Sequence, residues 1–310
     1  MADLQRRLAT LGHGCRGDID GQFGPETGRS VEAFQTVRGL RVDGICGEQT
    51  WAALVEAGYR LGDRRLYQRK PMMRGDDVAD LQGRLGALGF DAGKVDGIYG
   101  PETAGALAEF QRNAGLTVDG IFGPDELQVL ERLGHRGDGL VADLRELAAL
   151  RWSTRTLAQL CVVVVERGGL DALAGAAGRV LRRHGADITV LHHPDPSELA
   201  QQANALKAAV CIELASLGEG EGCRCAFYRG YHTSSPTGQD LAERLSSAVA
   251  AALGLADLGA VGMAIPILRE TRMPAVVCEI GPTAALVADG PRVAEALADA
   301  LERWIAPDGR

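Results

Sequence analysis

Lysine is almost missing from this chain: only Lys70, Lys94 and Lys207 occur among its 33 basic residues. Aromatic residues are few, at 5%, and positive charge is in deficit. Against those 33 stand 41 acidic residues, for a formal net charge of −8. General nucleic-acid binders and anionic-membrane binders lean towards positive charge, so both classes are excluded. Apolar runs are short as well. Cys161–Val165 falls far below the ~20 residues that span a bilayer, so no membrane insertion is expected. Cysteine is present, but its seven copies are odd in number and irregular in spacing, which argues against a disulfide framework. Met1–Leu8 shows neither the apolar core nor the cleavage site of a signal peptide. The expectation is a cytoplasmic protein. With 310 residues, 46% hydrophobic and 24% charged, the chain suits a globular protein of two or three domains.

What the sequence does contain is an internal repeat. Leu4-Gln5, Leu8 and Leu11 return as Leu81-Gln82, Leu85 and Leu88. Asp20-Gly21, followed by Gly24-Pro25-Glu26-Thr27, returns as Asp96-Gly97 and Gly100-Pro101-Glu102-Thr103. Phe34-Gln35 returns as Phe110-Gln111, and Asp43-Gly44 as Asp119-Gly120. Each copy reads as three helices joined by two Asp-Gly turns. The leucines share one helical face. Gly-Pro-Glu-Thr restarts a helix, with proline near its first position and an acid in its first turn. Trp51 and Leu127 are expected to anchor the third helices. The basic segment Leu61 to Arg74 reads as a solvated linker, and residues 135–157 as a second linker.

These paired motifs resemble the peptidoglycan-binding family of three-helix modules, over residues 1–58 and 76–134. The resemblance implies binding of cell-wall peptide or glycan. Candidate surface turns are Asp20, Gly21, Asp43, Gly44, Asp96, Gly97, Asp119 and Gly120. Two readings stay open: modules that bind a muropeptide, and modules that serve only as protein-interaction surfaces.

From Leu160 onward, short apolar strands alternate with helices. Strands are expected at Cys161–Val165, Ile188–Leu191, Ala208–Leu214 and Ala275–Ile280. Helices are expected at 170–184, from Ser197 to Leu206, 243–253 and 293–305. Cys223-Arg224-Cys225 reads as one strand with two buried thiols. The alternation predicts an α/β domain with a largely parallel sheet over residues 158–306. The expected fold is therefore two all-α three-helix modules followed by this α/β domain.

Leu268-Arg269-Glu270-Thr271-Arg272-Met273-Pro274-Ala275 and the strand up to Gly281 resemble the zinc-dependent N-acetylmuramoyl-L-alanine amidase family. Arg183-His184-Gly185-Ala186 and Ala203–Glu213 extend the likeness. That family binds zinc through His, Glu and His, with a glutamate as general base. The resemblance places Arg167 at the first ligand position, nothing at the second, and Glu213 at the third. Only the general-base position, Glu279, is kept. No active catalytic set and no metal are expected, and zinc is read as lost. Arg167 is expected to take the place of the cation and to pair with both Glu213 and Glu279. His192-His193 does not rescue a metal site, because neighbours on a strand point to opposite faces.

Tandem modules before a degenerate amidase domain resemble an actinobacterial family of pseudo-enzymes that regulate peptidoglycan precursor synthesis. The resemblance implies protein partners: the enolpyruvyl transferase MurA, and with it the flippase MurJ and a forkhead-associated protein. In that family the phosphorylated threonine lies on a tail beyond the amidase domain. After Ile305 this sequence reads Ala-Pro-Asp-Gly-Arg, so no counterpart is assigned. The alternatives are an amidase that hydrolyses peptidoglycan and a sensor that binds a muropeptide or lipid II.

Overall fold

The computed structural model describes residues 1–133, 156–218, 220–283, 286 and 289–305. The chain divides into two compact units. The first holds six helices: α1 (Ala2–Thr10), α2 (Pro25–Arg38), α3 (Glu48–Glu56), α4 (Asp76–Ala87), α5 (Pro101–Ala114) and α6 (Pro124–Leu133). The repeat is visible in their boundaries. α2 and α5 both open on proline after an extended glycine. Both end at a left-handed glycine, Gly39 (φ 66°) and Gly115 (φ 69°), a conformation that costs glycine little.

Leu4, Leu8, Val31, Phe34 and Leu54 form the first module's core. Leu81, Leu85, Leu107, Phe110 and Leu130 form the matching part of the second. Two expectations change here. Trp51 is 39% exposed, and Leu54 is the anchor of α3. Leu127 is only partly buried, and Leu130 takes that role in α6. The stretch 61–74 is not a solvated linker. Leu66 and Met73 are buried in the second core, and Leu66 exchanges two backbone hydrogen bonds with Phe122 (3.0 and 2.8 Å). Arg64 accounts for part of the basic character. It is spent on the buried Asp77 carboxylate (Nε to Oδ2, 2.7 Å) and on the Arg74 carbonyl (2.7 Å). The second module thus begins before residue 76. The expected linker at 135–157 lies outside the described residues, save for 156–157.

The second unit is an α/β domain with a six-stranded sheet. Its elements are β1 (Cys161–Glu166), α7 (Asp171–Arg183), β2 (Asp187–His192), α8 (Pro196–Ala205), β3 (Val210–Ser216), β4 (Gly222–Tyr228), α9 (Pro236–Leu253), β5 (Asp257–Met263), α10 (Pro266–Glu270), β6 (Ala275–Gly281) and α11 (Gly290–Ile305). The strand order is β2-β1-β3-β6-β4-β5. All neighbours run parallel except β4 and β6. The largely parallel sheet is as expected. β5 was not expected: Asp-Leu-Gly-Ala-Val-Gly-Met has no apolar run and sits at the sheet edge, where packing asks less of a strand. α9 starts at Pro236, seven residues before the expected start at 243. The cap of α8 is Asp195, which accepts from Ser197 N at 2.8 Å, rather than Ser197.

Alternation along the strands sends side chains to two faces. Val162, Val164, Ile212, Cys223, Cys225, Cys278 and Ile280 join α7, α9 and α11 in one core. Val163, Val165, Cys211, Ala226 and Val277 join α8 and α10 in the other.

Candidate functional site

Every second residue on the α8 and α10 face is apolar up to the end of β1, the middle of β3 (where Ala215 follows Glu213) and the last third of β6. There the pattern turns polar. Arg167 follows Val163 and Val165, Glu213 follows Cys211, and Glu279 follows Val277. Carboxyl ends of parallel strands are the usual place for a site in an open α/β sheet.

The structure brings Arg167 and Glu213 together. Arg167 Nε donates to Glu213 Oε1 at 2.7 Å. The carboxylate is 1% exposed and the guanidinium 44%. Glu213 Oε2 is buried with no hydrogen-bond partner. Burial pushes the Glu213 carboxyl up, Arg167 pulls it down, and the Glu279 charge pushes it up further. Glu279 is not shared with Arg167, as the sequence had suggested. It is held by Arg224, its direct cross-strand neighbour on β4, whose Nε donates to Oε2 at 2.9 Å and whose Nη2 makes a second contact. Sequence reading missed Arg224, because its position depends on the β4–β6 register.

A zinc hydrolase needs about three protein ligands and one open coordination position. These residues do not fit that ion. Arg167 cannot lose its charge to become a ligand, and its guanidinium already serves Glu213. Four residues, Arg167–Leu170, join β1 to α7, so the chain there has no loop to carry a second ligand. Gly168 (φ 134°) and Gly169 (φ 90°) make that short turn.

The opposite face carries another polar group. Glu166 Oε1 contacts His192 Nδ1, its partner in the β1–β2 register, and Asp171 Oδ1 lies 3.3 Å from the same nitrogen. These ligand atoms lie close enough together to hold a divalent cation. Glu166 also has a local task, since its Oε2 accepts from Gly168 N (2.8 Å) and Leu170 N (3.1 Å) and closes the turn. His193 takes no part; its ring meets the Asp195 backbone.

In the modules, the Asp-Gly turns are held by buried glutamines. Gln82 Nε2 donates to Asp96 Oδ1 (3.0 Å), the Ile98 carbonyl (3.1 Å) and Thr103 Oγ1 (3.0 Å). Its Oε1 accepts from Asp96 N and Gly97 N. Gln35 does the same for Asp43 and Gly44, and Gln111 for Asp119 and Gly120. Gln5 accepts from Gly21 N at 2.8 Å. The carboxylates of Asp43, Asp96 and Asp119 therefore bond to the modules' own glutamines, while Asp20 is exposed.

The family described as "Putative peptidoglycan binding domain" matches residues 1–54 and 74–130. The N-acetylmuramoyl-L-alanine amidase CwlM of Mycobacterium tuberculosis is 36% identical over 91% of this chain and 76% of its own length. The chain belongs to the CwlM family. A second relative, the N-acetylmuramoyl-L-alanine amidase CwlL of Bacillus licheniformis, is 35% identical over 42% of each chain. Among solved structures, the N-acetylmuramyl-L-alanine amidase Ami1 from Mycobacterium smegmatis aligns with 49% of this CwlM-family chain and 99% of its own, at 16% identity and a TM-score of 0.43. The CwlM family joins peptidoglycan-binding modules to an amidase-type α/β domain, the two architectures described above. No helix among the described residues is long and apolar enough to cross a membrane.

Proposed function

We propose that this chain is a non-catalytic member of the CwlM family, a cytoplasmic regulator of peptidoglycan precursor synthesis. The observation that carries the reading is the Arg167–Glu213 pair at 2.7 Å. A guanidinium balances the buried carboxylate, but it offers no exchangeable water and cannot lower the pKa of one, which is what zinc supplies in hydrolysis. Arg224 occupies the carboxylate that would serve as general base. Seven free thiols, four of them buried, suit a reducing compartment. On this reading the output passes through protein contacts, with a MurA-like enolpyruvyl transferase as first partner and a MurJ-like flippase or forkhead-associated protein as further ones.

The test is a muropeptide turnover assay on the full chain, with and without added zinc, beside an enolpyruvyl transferase assay with and without the chain. The reading expects no cleavage of the muramoyl–alanine bond and a faster transferase. Zinc-dependent cleavage at ordinary enzymatic rates, about 1–10³ per second, would overturn it in favour of an amidase.

A second reading, a muropeptide sensor, is favoured by one feature. A cleft of about 810 Å³ in the first module is lined by Gln5, Arg6, Arg16, Asp18 and Asp20, among others. That volume suits a small ligand. Calorimetric titration of the full chain with a muropeptide, beside an Arg16→Ala variant, tests it.

A further inference from the structure

Three of the seven cysteines meet inside the sheet core. Cys223 and Cys225 lie two residues apart on β4, so they share a face. Cys278 stands opposite Cys225 on antiparallel β6. The three sulfurs all lie within 4.8 Å of one another, and all three residues are buried. Cys223 Sγ and Cys278 Sγ are 3.8 Å apart. Phe227, Leu241, Leu245 and Val249 belong to the same core. Arg224, between the two β4 cysteines, sends its guanidinium to the other face, onto Glu279.

We propose that Cys223, Cys225 and Cys278 form a structural site for a soft thiophilic cation of the zinc class, which pins β4 to β6. Two observations support a cation. The ligand set is soft and homogeneous, the type that selects zinc or copper(I). With zinc–sulfur bonds of ~2.3 Å, sulfurs about 3.8 Å apart can share one ion, and the Cys223–Cys278 pair already has that spacing. A disulfide uses only two of the three sulfurs, and oxidants in solution have no open path to buried thiols. The cation would enter as the chain folds, since a site of this kind forms together with the fold. The site lies on the face opposite Arg167 and Glu213, so this inference does not depend on the regulatory reading.

The experiment uses the full chain, produced under reducing conditions with zinc and freed of loose metal by gel filtration. Elemental analysis should find about one zinc per chain. Exchange for cadmium should give a thiolate-to-cadmium charge-transfer band. A variant with Cys15, Cys46, Cys161 and Cys211 all replaced by serine should keep metal and band. Cys225→Ser and Cys278→Ser should each lose the band. If those variants fail to fold, the wild-type chain still decides, through its zinc content and its cadmium band. Sub-stoichiometric metal in the reduced wild-type chain overturns the proposal. So does metal that survives in folded Cys225→Ser and Cys278→Ser but leaves when His192 is replaced by alanine.

Discussion

Removing Arg167 should cost far more than removing its partner. Arg167→Met leaves Glu213 in the sheet, 1% exposed, with Oε2 already lacking a partner. Breaking a buried ion pair so that a buried charge remains costs about 3–5 kcal/mol. The cost depends on pH, and its sign follows from the groups around Glu213. Burial already lifts this carboxyl, and Arg167 is what pulls it back. Without Arg167 its folded-state pKa rises further above the unfolded value. A carboxyl raised in this way is at no disadvantage below its unfolded pKa, and stability is lost as pH climbs through the folded pKa. The loss grows by up to about 1.4 kcal/mol per pH unit in that window. Glu213→Gln removes the charge and leaves a guanidinium that is 44% exposed and can hydrate. It also relieves the repulsion from Glu279. Its cost should stay within about 1 kcal/mol and vary little with pH. The assay is urea unfolding of the full chain between pH 5 and 8.5, followed by hydrogen exchange at β1 and β3 amides so that the sheet is read separately. Equal costs for the two variants, or an Arg167→Met cost that shrinks as pH rises, would refute the reasoning.

Gln82→Leu should destabilise the second module by about 2–4 kcal/mol, since it strips several buried hydrogen bonds from one turn; unchanged exchange protection at Gly97 and Ile98 would contradict this. Trp51→Ala should cost less than about 1 kcal/mol, because the ring is a surface group over which Arg7 lies at 5.5 Å; a large drop in the module's melting temperature would restore it to the core. Glu302→Gln should weaken the tie from the end of α7 to α11. Glu302, then Glu295, raise the His184 imidazole above its ordinary value. That stabilisation is full below about pH 6.5, is lost as pH rises through the folded pKa, and is worth no more than about 1 kcal/mol at this exposed position. A melting difference between wild type and variant that is larger at pH 9 than at pH 6 would refute it.

Periodicity and repetition made most of the fold legible. The paired leucines, the Gly-Pro-Glu-Thr starts and the apolar strands carry their structure in a few neighbouring residues. What stayed hidden depends on residues distant in sequence. Gln82 and Gln111 recur in the repeat beside Leu81 and Phe110, yet nothing local says that an amide side chain will hold a turn 16 or 9 residues away. Leu66 looks like a lone apolar residue in a basic stretch until Phe122 pairs with it. Arg167 and Glu213 could be named from the motif. Arg224 could not, because its contact with Glu279 exists only in the antiparallel register. The same register, unreadable in advance, assembles the three thiols.

A buried carboxylate in a sheet needs a counter-charge, whether it comes from a metal ion or from a side chain. Arginine two residues past Val165 meets that requirement within the existing period of the strand, and Arg224 meets it for Glu279 across the next strand pair. The charges balance and the strand ends keep their geometry. Guanidinium, however, stays protonated and coordinates no water. Charge balance and metal-assisted hydrolysis are separable: a guanidinium supplies the first and cannot supply the second. In the modules, buried glutamines take up aspartate carboxylates and glycine amides at the turns. Recognition must then fall to side chains that point outward, such as Trp51 at 39% exposure and the arginines lining the first module's cleft. Under the regulatory reading proposed above, these outward side chains are where a protein partner binds.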